Sequence, residues 1–527
     1  MSYLKRALAL VLALCFVLVI AACGPKEPAG NNDGTTTTTT AAQGDANVET
    51  TLANGETVAT GATTTKGGTV GTTTKAPVVE TVTDNPSMSK INAEIKRTTD
   101  KNGNASASFI KSLKGYTLKI YNPWPGAEPG SDIYQSAAYV ETEVEKEFGV
   151  EIHETGNWEG YAETVFANIT SGRPDADIYK VQDFNYATYV SKKYMANMTK
   201  AMRTAGVDMK EPWYNQDARK FFNINDGQYA WAGSEGSPYL IMYNKDMIKK
   251  AGLTDPADLV AKKQWTWDQM KKYAEKLNSS SVIGLSCGTT AADFLASMVI
   301  SSGGSLVSIV NGKPKSNIKS AVVKNCLQTL ATWTKNDAVV NMMKGQEMWQ
   351  EAPKKFAKGE LAMILGGDNA KAYKAQKATF TVGVVPFPTP KAGQDYVSQT
   401  KVQYMDFIPA PKATSAAKIL FIRNEMYRVS YRFWDRDFQI RNKDMFKLNG
   451  KEMTDLADIT YNRKSYFKTA TNFVSLTEKS DATASTSWTV SEVVAGTRTP
   501  QAAIDAYGSM IEAEYESVWK GLTITGK

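Results

Sequence analysis

Two tryptophans stand where an aromatic face can meet a ligand. Trp124 lies in Asn122-Pro123-Trp124-Pro125-Gly126, and Trp158 in Gly156-Asn157-Trp158-Glu159-Gly160. Proline and glycine place both in loops, so core packing explains them less easily than a tryptophan inside a regular element. A flat ring beside amides and carboxylates suits a sugar: the ring takes the apolar C–H face, and the polar groups take the hydroxyls. The chain is 10% aromatic and holds 11 Trp. Other chemistries are poorly served. His153 is the only histidine; it lies in an alternating strand pattern, where a packed or surface histidine is the default. A Ser–His–Asp triad would have to use it. No CxxC or Cys/His spacing marks a zinc site. Gly303-Gly304 reads as a turn after a helix, because no Lys-Ser/Thr follows it as in a phosphate cradle. No metal and no cofactor is expected. A pair of carboxylates facing one cleft would suffice for glycoside hydrolysis, and the plentiful Asp and Glu leave that reading open.

The elements that would position such residues alternate between strand and helix. Tyr116–Tyr121 alternates as a strand and is broken by Asn122-Pro123. Ala137–Phe148 has helical spacing and ends at Gly149, and Val150–His153 is a second strand. Tyr161–Thr170 is a helix, and Asp177–Val181 is a third strand. This order predicts βαβ units and an α/β fold with a mainly parallel sheet. Ligands of such sheets bind beyond the carboxyl ends of the strands. Those ends carry Trp124, then Asn157-Trp158, then Gln182-Asp183-Phe184. Thr266-Trp267-Asp268 reads as a helix cap and first turn, so Trp267 is structural.

The N-terminal region is of a different kind. Lys5 and Arg6 precede an apolar stretch, Ala7–Ala22, that is short for a membrane span. Ile20-Ala21-Ala22-Cys23 resembles a bacterial lipobox. The resemblance implies cleavage after residue 22, acylation of Cys23, and a protein tied to the outer face of the cell membrane, in a Gram-positive envelope. Residues 24–85 hold no Phe, Trp, Tyr or Ile and only one Leu, Leu52, while Thr35–Thr40 is unbroken threonine. Such a segment cannot offset its ordering entropy by burial. A disordered tether is expected over 23–114; its sixty-odd Thr-rich residues alone reach roughly 40–45 Å on average. Formal charge is +7, with the signs interspersed, so no nucleic-acid footprint is seen. Of the remaining cysteines, Cys287 and Cys326 are equally compatible with a disulfide or with two buried thiols.

The folded part, from about residue 115, is too long for one core. Several of its segments carry a resemblance. They are Thr170-Ser171-Gly172-Arg173-Pro174-Asp175; Leu240-Ile241-Met242-Tyr243-Asn244-Lys245-Asp246; Ala251-Gly252-Leu253 with Trp265-Thr266-Trp267-Asp268; Phe356-Ala357-Lys358-Gly359-Glu360-Leu361-Ala362-Met363; and Thr497-Arg498-Thr499-Pro500-Gln501-Ala502. In order and spacing the chain resembles the extracellular solute-binding proteins of bacterial ABC importers, the group that includes maltose-binding proteins. The resemblance implies a two-lobe, type II periplasmic-binding-protein-like α/β fold, with mixed sheets flanked by helices and a hinge of crossover strands. Lobe one would hold 115–237 and 408–470, and lobe two 238–403 and 485–527. Crossings are expected near Gly236–Leu240, near Tyr404–Ile408, and around 470–487. The span Lys447–Ser487 matches the family poorly and is not assigned.

What the resemblance implies for the cleft adds to the two tryptophans. Asp183 sits where a hydroxyl-binding carboxylate is common in the family. Glu235 and Tyr239 flank the first crossing, and Tyr404 and Asp406 border the return crossing. Gly367 and Asp368 stand where relatives often carry a stacking tryptophan, which this chain lacks. Trp231 and Trp349 are weaker candidates. The implied partners are a small polar ligand, a carbohydrate foremost, and the subunits of an ABC permease; a monomer is expected. A wall-bound scaffold or adhesin on the same tether is the rival class, with a lipid-anchored glycoside hydrolase behind it.

Overall fold

The computed structural model describes residues 105–123, 132–233, 238–343, 346–366, 379–402, 404–433, 447–448, 451–452, 468–478 and 484–526. Of the sequence expectations, Trp124, Glu235, Asp368 and the lipidation residue Cys23 lie outside the described residues.

Three strands expected from alternation form the first sheet, each within a residue or two of its expected bounds. Thr117–Tyr121 pairs in parallel with Glu151–Thr155 on one side and Ile178–Gln182 on the other. A fourth strand, Tyr404–Phe407, lies antiparallel to Ile178–Gln182, with Tyr404 opposite Gln182 and Phe407 opposite Tyr179. Alternation splits the side chains between two cores. Leu118, Ile120, Ile152 and Ile178 pack on one face, against residues of the helices Asp132–Phe148 and Ala416–Phe433. Tyr179, Val181, Met405 and Phe407 pack on the other. There they meet Tyr161, Val165 and Ile169, spaced four apart as one stripe of the helix Tyr161–Thr170.

The second sheet is mixed, in the order Val382–Pro386, Leu240–Asn244, Leu361–Gly366, Ile283–Cys287. Leu240–Asn244 runs antiparallel to both neighbours, and Leu361–Gly366 runs parallel to Ile283–Cys287. Every residue of Leu240–Asn244 and Leu361–Gly366 is buried. Continuous apolar runs of this kind belong to strands covered on both faces. Trp265 is fully buried here, its indole N–H donating to the Pro386 carbonyl at 3.1 Å. Thr266 caps the next helix by accepting from the Gln269 N–H, and the Trp267 indole donates to the Pro388 carbonyl at 3.0 Å. Both roles are structural, as the sequence predicts.

The sheets are joined by extended segments. Trp231 exchanges two backbone hydrogen bonds with Asp406 of the first sheet, and the chain next enters the second sheet at Leu240. The return runs through Val397–Lys401, which pairs in parallel with Lys468–Asn472 before Tyr404–Phe407 rejoins the first sheet. Part of the unassigned span 447–487 is thus a strand beside a crossing.

One expectation is corrected. The tether does not run to residue 114. Ala107–Lys111 is a helix capped by Ser106, and Phe109, Ile110 and the fully buried Leu113 close over the core on the Ala416–Phe433 face. Three apolar side chains within five residues suffice to hold this short segment. Cys287 and Cys326 are free, buried thiols. His153 is an exposed strand residue, 3.6 Å from the Glu151 carboxylate. No helix of the described residues is long and apolar enough to cross a membrane.

Candidate functional site

Asp183 follows the third strand of the first sheet and opens a one-turn 3-10 helix, Asp183–Asn185. Its Oδ1 accepts from the Phe184 N–H at 3.0 Å. Its Oδ2 faces the ammonium of Lys401 at 3.9 Å, and the carboxylate is almost wholly buried. Lys401 ends the crossing strand. Gln399, two residues earlier and so on the same strand face, donates from Nε2 to the Asp293 carbonyl at 2.7 Å and takes the Tyr239 N–H on its own carbonyl at 2.8 Å. Asp293 belongs to the first turn of the helix Ala291–Ser301, where Thr290 caps it. The second crossing strand adds Asn472, which reaches Gln399 Oε1 at 3.4 Å, and Thr471, which lies 3.3 Å from the Thr400 hydroxyl and donates to Asp217 at 2.8 Å. The first sheet, the second sheet and the crossing strands therefore each contribute polar groups to one place.

The charges explain what this place can do. Burial works against the charge of Lys401, but the Asp293 and Asp183 carboxylates outweigh it and hold the ammonium above its ordinary pKa. Burial pushes the Tyr239 phenol well up, with Asp293, Cys287 and Asp183 adding to it. Tyr404 is pushed up to about 12, by burial first and by Asp183 as well, against a lowering contact with Gln182. Both phenols are neutral at physiological pH. The cluster presents one cation, two anions and two neutral hydroxyls. The nearby Cys287 is not an activated nucleophile: burial pushes its thiol up to about 12, far from a reactive thiolate. Among the described residues no group of three or more His, Cys, Asp or Glu is placed to hold a metal ion.

The other candidates are placed differently. Asp406 is fully buried between the return strand and the helix Ala416–Phe433. Its Oδ2 accepts from Arg423 Nε at 2.8 Å and from the Tyr427 hydroxyl at 2.9 Å, and Lys180 Nζ stands 3.4 Å from Oδ1. Burial alone would raise its pKa; Arg423 and Lys180 overcome this and hold it below the ordinary aspartate value. Its polar contacts are all internal. Trp158 is half exposed on the loop after the second strand, with its carbonyl accepting the Tyr161 N–H. Gly156 permits that loop: φ is +140°, and a Cβ there would lie 1.9 Å from the Asn122 carbonyl oxygen. Trp231 is buried in the core, and Trp349 is exposed at a helix start with its indole donating to Glu347 at 2.7 Å. Asp183, Tyr239 and Tyr404 thus come together, while Asp406 and Trp158 stand apart from them.

Lys401, Asp293 and Gln399 were not predicted. Val397-Ser398-Gln399-Thr400-Lys401 reads as a polar edge strand, and Thr290–Asp293 reads as an ordinary cap. The only available signal was the nearness of Lys401 to the return crossing at Tyr404.

Comparison with known proteins places this geometry. Residues 135–417, over half of the chain, match the family of bacterial extracellular solute-binding proteins. Among solved structures, the fold is similar to the ABC substrate-binding protein Lmo0181 from Listeria monocytogenes in complex with cycloalternan. The identity is 17% and the TM-score 0.53, over 77% of this chain and 99% of that one. It is similar to the GacH receptor of Streptomyces glaucescens, seen unliganded and with acarbose, at 16% identity and TM-score 0.53 over 77% and 99%. It is similar too to the maltose/maltodextrin-binding domain MalE of Bdellovibrio bacteriovorus bound to maltotriose, at 15% identity and TM-score 0.52 over 76% and 99%. At these identities the likeness is one of fold, the two-lobe type II periplasmic-binding-protein-like fold. No curated protein matches the sequence. With its mixed sheets, its crossover strands and the match over residues 135–417, the chain belongs to the family of bacterial extracellular solute-binding proteins.

Proposed function

We propose that this chain is a lipid-anchored receptor on the extracellular face of a Gram-positive cell membrane. It captures a carbohydrate, foremost an oligosaccharide, between two closing lobes and delivers it to an ABC permease. It acts as a monomeric binder and not as an enzyme. The lobes are 115–237 with 408–470, and 238–403 with 485–527, and the acylated Cys23 holds them through the Thr-rich tether.

The observation that carries the reading is the meeting of Asp183, Tyr404, Tyr239 and Asp293 around Lys401. The Asp183 and Asp293 carboxylates are acceptors for sugar hydroxyls, and the neutral phenols can donate in turn. Trp158 offers an exposed ring to an apolar sugar face. Trp124, Glu235, Asp368 and Asp406 are the further candidate ligand residues, with Asp406 acting from behind the wall. Proteins of similar fold hold cycloalternan, acarbose and maltotriose, which supports a carbohydrate over other polar solutes. A ligand that touches both lobes stabilises the closed arrangement by its differential affinity for it.

Calorimetry with maltotriose, acarbose, cycloalternan and chitin oligosaccharides tests the reading. Saturable binding is expected for at least one, weakened roughly tenfold or more by Asp183→Ala through the loss of a charge-assisted hydrogen bond. No binding across the panel refutes the carbohydrate, and release of shortened oligosaccharides by the purified protein refutes the receptor. Detergent-phase partitioning that is unchanged in Cys23→Ala refutes the anchor.

A further inference from the structure

The helix Pro500–Val518 starts in one core and ends in another. Ala503 and Ile504 pack within the core of the second sheet. Val518 and Trp519 pack on the first sheet's side, where the Trp519 ring meets Phe221 edge-on at 5.4 Å between centroids. The residues that follow are tied to both halves. Toward the first half, the Asn225 N–H donates to the Thr523 carbonyl at 2.8 Å, the Thr523 N–H to Asn225 Oδ1 at 2.9 Å, and the Thr525 N–H to the Asn223 carbonyl at 3.0 Å. Asn225 Nδ2 also donates to the Gly521 carbonyl at 3.0 Å. Toward the second half, the Ile524 N–H donates to the Gly312 carbonyl at 2.8 Å. The Lys313 ammonium donates to the Trp519 carbonyl at 3.0 Å and to the Leu522 carbonyl.

The alternation of these bonds is that of a strand. Thr523 and Thr525 point their N–H groups one way, to the hairpin of Asn223-Ile224 and Gly227-Gln228. Ile524 points the other way, to the turn between Val307–Val310 and Lys313–Ser316. The fit on the second side is close: a Cβ on Gly312 would stand 2.5 Å from Thr523 Cγ2 and 2.8 Å from the Ile524 carbonyl oxygen. None of these residues belongs to the Asp183–Lys401 cluster.

We propose that Leu522–Thr525 is an added member of the hinge, a strand shared by the two lobes that limits how far they open. Rotation of one lobe away from the other must stretch the row of bonds at Asn223 and Asn225 or the row at Gly312 and Lys313. The segment therefore biases the ligand-free protein toward smaller openings without touching a ligand, and it does so whatever solute the cleft takes.

Distance measurement on the ligand-free chain tests this. Nitroxide labels are carried on p-acetylphenylalanine at the exposed positions Lys200, on the first half, and Lys276, on the second. Each row is loosened separately, by Asn225→Gly, which keeps a left-handed backbone position (φ +48°) accessible, and by Lys313→Met. Each variant is expected to shift the mean inter-lobe distance upward and to broaden the distribution, and the double variant to shift it further. Distributions that superimpose on the parent overturn the proposal. A lowered melting temperature with unchanged distances overturns it as well, since that is what a merely structural contact would give.

Discussion

Asp406 offers the sharpest test of how the first lobe is held. Its carboxylate is fully buried and meets Arg423 through both Nε and the terminal nitrogen at 2.8 Å, Tyr427 at 2.9 Å and Lys180 at 3.4 Å. Removing one partner of a buried ion pair leaves the other charge uncompensated and costs about 3–5 kcal/mol. Asp406→Asn keeps the shape and an acceptor for the guanidinium, so the lower end is expected; Asp406→Ala, which also opens a cavity, should approach the upper end. Replacing both charges in Asp406→Leu with Arg423→Met should recover a large part of the loss, because the desolvation penalty disappears with the pair. Urea titration of these proteins, together with Asp406→Leu and Arg423→Met singly, reads the differences as midpoint shifts. The pH dependence has a definite sign. The folded pKa lies below the ordinary aspartate value, so the contribution is present above about pH 4 and is lost as the pH falls through the folded value. The parent should lose more stability on acidification below about pH 4 than Asp406→Asn does. A single-variant cost under about 1 kcal/mol, or a double variant as unstable as the sum of the singles, would refute the reasoning.

Other expectations rest on different features. Glu478 is buried beneath the start of the helix Thr486–Ala495, where it accepts from the Thr486 N–H at 2.9 Å and hydroxyl at 2.7 Å; burial, with Glu514 adding, pushes its carboxyl up to about 7. An acid with a raised folded pKa binds its proton more tightly when folded, so stability should fall by about 3 kcal/mol as the pH rises from about 4.5 through 7. Urea midpoints at pH 5 and 8 should show this slope in the parent and lose it in Glu478→Gln. Gly156→Ala forces a side chain into the Asn122 carbonyl at a backbone angle reserved for glycine and should cost about 1–3 kcal/mol, with altered fluorescence of the loop that carries Trp158; unchanged spectra and stability would count against the geometry. Cys287 and Cys326 are buried, so a thiol reagent should modify them at the rate of unfolding, and rapid labelling of the native protein would contradict their placement.

The sequence made the first two strands legible because buried and exposed residues alternate along them, and the third through its apolar Ile178, Tyr179 and Val181 after a helix and a turn. It made the helix Tyr161–Thr170 legible through its stripe of Tyr161, Val165 and Ile169. The strand Lys468–Asn472 escaped because nothing in Lys468-Thr469-Ala470-Thr471-Asn472 is apolar enough to show which face is inward; its pairing with Val397–Lys401 is set by tertiary contact. The site shows the same division. Asp183, at the end of the third strand, and Asp406, at the return crossing, are both candidate ligand carboxylates in the sequence. What separates them is the helix Ala416–Phe433, which brings Arg423 and Tyr427, 17 and 21 residues away in sequence, onto one carboxylate alone. Asp183 instead faces the Lys401 ammonium, which Asp293 also holds above its ordinary pKa, so its charge is coupled to a crossing strand and not to the core helix.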